Sequence, residues 1–284
     1  MIERMSWSDL PFDLRDAIVR KTGGVLESRI IESGLNCSVA LMIRTALCGG
    51  LFLKGVRTSD RSGVEGLRNE EKINGVVAGL SPVIRHTFEV AGWYCLAFVY
   101  IDGRHAELGP GTHDLPAIQW VMTQKTLACG RPRVLAPLEL PQLVDRYRNF
   151  LTAEEAALLH GTSLLHTDTN PHNLLIAGDG SAYLIDWAMP ALGPKWVDVA
   201  DTAVRLMECG LEPAEAINWL SYFTGWQTAN PRAVEAYVNA RCRQWSAWMG
   251  EEKAASSNGR FRQLLGYPHR KPRPMPKPRA SPAS

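Results

Sequence analysis

Strand-like segments fill the first third of the chain and helical ones the remainder, and no other feature limits the fold so sharply. Residues 25–31, 39–46 and 51–56 are β-type runs punctuated by Gly34 and by Gly49-Gly50. An amphipathic helix over residues 10–20 precedes them. A second helix, over residues 63–80, is ended by Gly79 and Pro82. Two further strands, 83–90 and 93–101, turn at Ala91-Gly92, and Asp102-Gly103 then breaks the pattern. Helical patterns follow at residues 115–128, 140–160, 196–209, 214–224 and 232–249, interrupted by a small β patch at 174–177 and 182–185. Strands gathered ahead of helices predict an α+β protein of two lobes, residues 1–102 and 103–268. A chain of 284 residues is long enough for both to bury a core.

Composition narrows the partners. The formal charge of +2 is carried by the end of the chain, where Arg270, Lys271, Arg273, Lys277 and Arg279 occur without an acid. The remaining body has 26 basic and 29 acidic residues, so it has no basic footprint for nucleic acid. Residues 269–284, alternating Pro with basic side chains, cannot build a core and read as a disordered tail. Cys37, Cys48, Cys95, Cys129, Cys209 and Cys242 contain no C-x-x-C pair, so buried reduced thiols are expected and neither a zinc site nor a disulfide framework. The first twenty residues lack the apolar core of a signal peptide, and the longest apolar run, 93–101, is too short to span a bilayer. A cytoplasmic protein without a membrane partner is expected; the sequence says nothing of its oligomeric state.

The chemistry concentrates in His166-Thr-Asp168-Thr-Asn-Pro-His-Asn173 and Tyr183-Leu-Ile-Asp186-Trp187. One carboxylate, Asp168, suits the task of orienting an acceptor hydroxyl and taking its proton. Asn173 and Asp186 offer hard oxygen ligands of the kind magnesium prefers. A strand, a turn at residues 178–180 and a second strand separate these two, so a hairpin would return Asp186 toward Asn173.

H-x-D-x-x-x-x-N, followed thirteen residues later by an Asp ending an apolar strand, resembles the catalytic loop and metal-binding Asp of the protein-kinase-like superfamily. Ile-Asp-Trp in place of Asp-Phe-Gly is similar to the aminoglycoside phosphotransferase and choline kinase branch. The resemblance spans about residues 30–201. It implies a nucleotide-binding N-terminal lobe holding an antiparallel sheet and one helix, and a helical catalytic lobe. It also implies ATP as donor (GTP as the alternative), Mg2+, and a hydroxylated small molecule as acceptor, such as an antibiotic or a metabolite. Lys54, closing the strand Leu51-Phe-Leu-Lys54, stands where the phosphate-anchoring lysine belongs. Glu70 resembles its ion-pair partner, with Glu71 the competing choice. Backbone groups of Val99 and Ile101 would meet adenine, and Gly34 and Ser38 lie in the segment that would cover the phosphates. His166 is expected to brace the loop, and an Asp near Asp198 is structural in relatives. Asp198 and Asp201 also suit a helix start, where acids favour the dipole.

The pattern departs from the superfamily in places. Residues 32–38 are not G-x-G-x-x-G, Walker A is absent, and Asn170 stands where protein kinases usually place a lysine. Only about ten Pro- and Gly-rich residues separate Asp186 from the helix near Trp196, with no Ala-Pro-Glu, which argues against a protein kinase. Residues 187–267 hold eight acids and eight bases, no excess for a polycationic acceptor. A catalytically silent nucleotide-binding scaffold is the rival reading, weakened by the intact Lys54, Asp168, Asn173 and Asp186. Trp196, Trp219, Trp226, Trp245 and Trp248 are expected in the core.

Overall fold

A computed structural model describes residues 4–32, 37–130 and 135–266. Gly34 and the 269–284 tail lie outside the described residues. The chain divides into two compact units, residues 1–104 with 175–189, and residues 105–174 with 190–284. The sequence reading cuts once at residue 102; the first unit also takes in the stretch from 175 to 189.

The first unit is built on a five-stranded antiparallel sheet of order β1-β2-β3-β5-β4: β1 Val25–Ile30, β2 Val39–Thr45, β3 Gly49–Arg57, β4 Ile84–Val90 and β5 Trp93–Val99. Strand alternation sends successive side chains to opposite faces. Val39, Leu41, Ile43, Leu51, Leu53, Cys95 and Ala97 share one face with Leu10 and with Leu14 and Ile18, the i, i+4 pair of α1 (Phe12–Thr22). Ala40, Phe52, Val56, Tyr94, Leu96 and Phe98 share the other with Val64 and Leu67 of α2 (Arg61–Asn74). Gly23, at φ 76°, ends α1 in the left-handed conformation that glycine adopts without strain.

Helix α2 stops at Asn74, short of the expected 63–80. The cause is the Asn74 amide, whose Nδ2 donates to Pro82 O at 2.9 Å while its Oδ1 accepts from Ile84 N at 2.9 Å. A side chain bonded to the next strand in both directions competes with continued helix. β6 (Gly103–His105), β8 (Leu174–Ala177) and β9 (Ala182–Leu184) form a three-stranded sheet, and β9 is tied back by Leu184 N donating to Leu80 O at 2.8 Å.

In the second unit α3 (Leu115–Ala128) matches its expected span, whereas residues 140–160 do not form one helix. A short α4 (Leu143–Arg146) ends, and α5 (Ala153–Leu159) starts afresh at a capping box. Glu155 N donates to Thr152 Oγ1 at 3.2 Å, and Thr152 N to Glu155 Oε2 at 2.9 Å. β7 (Ser163–Leu165) pairs with β10 (Ala191–Gly193). Helices α6 (Val197–Glu208), α7 (Pro213–Leu220), α8 (Thr224–Gln227), α9 (Pro231–Met249) and α10 (Glu251–Gln263) complete the unit, and the last of these is not foreseen from sequence. Trp196, Trp219 and Trp226 are buried as expected, but Trp248 is 65% exposed. Four of the six cysteines are buried; Cys48 is partly buried and Cys209 exposed, and all six are free thiols. No helix among the described residues is long and apolar enough to cross a membrane.

Candidate active site

In the first unit the site is a lysine clamped by two carboxylates. Lys54 lies on β3 and points to the α2 face, the register it shares with Phe52 and Val56. Its Nζ is 2.6 Å from Glu70 Oε1 and 2.7 Å from Asp186 Oδ1. Burial opposes the charge on Lys54, but the two carboxylates outweigh it and hold the ammonium protonated, well above its ordinary pKa. Burial pushes the Glu70 carboxyl up, and Lys54 counters it.

Glu70 is thus the partner of Lys54, and Glu71 is engaged elsewhere, accepting from Thr87 Oγ1 at 2.6 Å and from the Tyr94 hydroxyl. Helix α2 also positions the chain that follows β9. Trp187 N–H donates to Glu70, and Asn69 Nδ2 donates to Ala188 O at 3.0 Å. A Cβ at Gly66 would come within 3.2 Å of the Ala188 Cβ, so glycine lets helix and chain approach closely here. Asp186 itself has φ 62°, a left-handed backbone that Asp tolerates better than most residues.

Val99 N donates to Val83 O at 2.8 Å. Ser38 O accepts from Met5 N at 3.0 Å, and Ser38 is partly buried just past the undescribed stretch that contains Gly34.

In the second unit the loop after β7 organises Asp168. Asn170 Nδ2 donates to Asp168 Oδ1 at 2.9 Å, while Asn170 Oδ1 caps the 3-10 turn Pro171–Asn173 by accepting from His172 N at 2.8 Å. Asn173 Nδ2 donates to Asp168 O at 2.9 Å and to Asp168 Oδ2 at 3.1 Å. The Asn173 amide is therefore oriented by its nitrogen, and its oxygen is the atom suited to a metal. His166 is 1% exposed, and its Nδ1 accepts from Asp168 N at 3.3 Å, the loop-bracing role expected of it. Asn170 is the orienting group that sequence reading left without a role. Its signal was position, two residues from Asp168, where an Asx side chain bonds locally.

Beneath the loop, Asp198 and Asp201 do more than open α6. Both are buried. Asp198 Oδ2 accepts from His166 N at 2.8 Å and from Lys125 Nζ, and its Oδ1 accepts from Thr167 N at 2.9 Å. Asp201 accepts the Tyr237 hydroxyl at 2.8 and 2.9 Å, and burial pushes its carboxyl up to about 6 against the pull of Arg241.

The folded state holds the Asp201 proton more tightly than an unfolded chain titrating near 3.8. Stability associated with that proton is complete below about 3.8 and is lost as pH rises through about 6. Asp201→Asn should therefore melt higher than wild type on the alkaline side of about 6, with no such gain below about 3.8. The relief approaches roughly 3 kcal/mol, less about 1 kcal/mol for a weakened Tyr237 bond. A thermal melt series across pH checks the crossover.

The Asp186 carboxylate and the Asn173 amide oxygen are, each by itself, hard donors of the kind Mg2+ takes. Among the described residues no group of three or more His, Cys, Asp or Glu could cage a metal.

The model of a phosphotransferase enzyme family, APH, matches residues 113–249. No curated protein sequence matches the chain significantly. Solved structures do. Choline kinase LicA from Streptococcus pneumoniae is 15% identical, with 89% of this chain and 99% of that one covered at a TM-score of 0.55. Macrolide 2'-phosphotransferase MphH from Brachybacterium faecium is 14% identical over 92% and 100% of the two chains, also at 0.55. The GDP and kanamycin complex of APH(2'')-IIia is 13% identical over 88% and 95%, again at 0.55. At these identities the likeness is one of fold. Over residues 113–249 the chain thus matches a phosphotransferase enzyme family, the grouping its loop motif resembles, and its fold is that of the protein-kinase-like phosphotransferases.

Proposed function

We propose that this protein is a small-molecule kinase that transfers the γ-phosphoryl group of ATP to a hydroxyl of an antibiotic or a hydroxylated metabolite. The observation that carries the reading is Lys54, a partly buried ammonium held at 2.6 and 2.7 Å by two carboxylates from distant parts of the sequence. A structural ion pair needs one partner; a lysine with two is poised to exchange one contact for a phosphate. In this reading Lys54 anchors the phosphates and Glu70 aims it. Val99 and Ile101 offer backbone groups to the base, and Ser38, with Gly34, belongs to the segment covering the phosphates. Asn173 and Asp186 would supply oxygen ligands to Mg2+, which when bound would neutralise charge on the phosphates.

Asp168 accepts the proton of the acceptor hydroxyl as its oxygen attacks the γ-phosphorus and the bond to the leaving nucleoside diphosphate breaks. Asn170 and Asn173 fix the carboxylate so that it faces one way. Positioning and fixed charge supply most of the acceleration in such a reaction. A library of hydroxyl compounds, incubated with ATP and Mg2+ and read by mass for one added phosphoryl group, tests the reading. Phosphorylated product with a subset of acceptors is expected. Nucleotide binding without product across the library, or product with GTP alone, would refute the proposal as stated.

A further inference from the structure

Lys125 is 1% exposed in α3, a helix that is otherwise apolar on its inner side, with Ile118, Val121 and Met122 buried. A lysine is almost never so deeply enclosed without a specific partner. The partner is Asp198, itself 1% exposed, whose Oδ2 takes the Lys125 ammonium. The same carboxylate accepts both backbone N–H groups that lead into Asp168, from His166 at 2.8 Å and Thr167 at 2.9 Å. Thr167 has φ 69°, a conformation costly for a β-branched residue and one that persists only where the surroundings impose it.

We propose that Lys125 is a positioning residue for phosphoryl transfer: by pairing with Asp198 it fixes the His166-Thr167 backbone in the strained conformation that aims Asp168. The inference rests on the catalytic role given to Asp168 above. Burial alone would raise the Asp198 carboxyl, but Lys125 and the loop N–H groups reverse this and hold it below its ordinary range, so the acceptor stays ionised. The other titratable groups around Asp198 are His166, Cys129, Arg146 and Asp201. Of these Arg146 also serves the loop, donating to Thr167 Oγ1 and to Pro190 O. Arg146 grips a side chain; Lys125 acts through the carboxylate that grips the backbone.

Lys125→Met keeps the volume and removes the charge. Amide hydrogen exchange at His166 and Thr167 should speed at least tenfold, and this arm needs neither nucleotide nor acceptor. On the acceptor found in the library, kcat should fall about 100-fold, the scale of a small misplacement of a reacting group, while KM for nucleotide changes less than about twofold. Adding Asp198→Asn removes the orphaned charge. The double variant should regain thermal stability but not kcat, because one oxygen cannot serve both amides. Unchanged exchange at the two amides in Lys125→Met would overturn the proposal. So would kcat recovering in step with stability in the double variant, or failure of that variant to fold. Absence of turnover in the wild type, with the exchange arm as expected, would instead strike the phosphotransferase reading.

Discussion

Asp168→Asn should bind nucleotide within about twofold of wild type and lose transfer by about 100- to 10,000-fold, the usual contribution of a positioned proton acceptor. The reason lies in what the carboxylate does and does not hold. Its oxygens accept from Asn170 and Asn173 at 2.9 and 3.1 Å, and Asn173 is also anchored on the Asp168 main-chain oxygen at 2.9 Å. The backbone anchor survives the substitution, so the loop should stay in place. What goes is the basic oxygen that can take a proton, and one side-chain acceptor. Calorimetric titration with nucleotide and a steady-state assay on the same preparation separate the two effects. Turnover within tenfold of wild type would remove Asp168 from the mechanism. A parallel loss of nucleotide affinity would mean that the residue organises the nucleotide site instead.

The parts of the fold and site legible from sequence were those encoded by short-range pattern. The β-type runs over residues 39–46 and 51–56 foretold two strands and put Lys54 in the second, because strand patterning is local. H-x-D-x-x-x-x-N is equally local, and the loop geometry around Asp168 follows it. Helical spacing favoured Glu70 over Glu71, since adjacent helix positions differ by about 100°, and it is Glu70 that meets Lys54 at 2.6 Å. The break after Arg146 had a readable sign, the Thr152-x-x-Glu155 box, which the apolar periodicity of residues 140–160 overrode. Lys125 was out of reach altogether: its partner stands 73 positions away, and a lone lysine in an apolar helix reads as a surface side chain. Long-range buried charge pairs leave no periodic trace, and the deepest support of the loop is of that kind.

Asp186→Asn should remove the magnesium dependence of nucleotide affinity and lower transfer at least 1,000-fold, since charge on the phosphates would lose its fixed counterion site. Asparagine is the informative replacement. At φ 62° an alanine would add backbone strain of its own, whereas Asn tolerates the left-handed region nearly as well as Asp and keeps the side-chain shape. Lys54 retains Glu70 at 2.6 Å, so its ammonium remains paired and the fold should lose little stability. The 2.7 Å ion pair with Asp186 becomes a hydrogen bond from the ammonium to a neutral acceptor, which frees Lys54 toward a phosphate more than it weakens the site. Nucleotide binding without magnesium should therefore be unchanged or slightly tighter than in wild type, while the tightening that magnesium brings disappears. Titration of both proteins with nucleotide, in magnesium and in chelator, reads this difference directly. If magnesium still tightens binding to the variant as much as to wild type, the metal is held by other oxygens, and the role given to Asp186 reduces to pairing with Lys54.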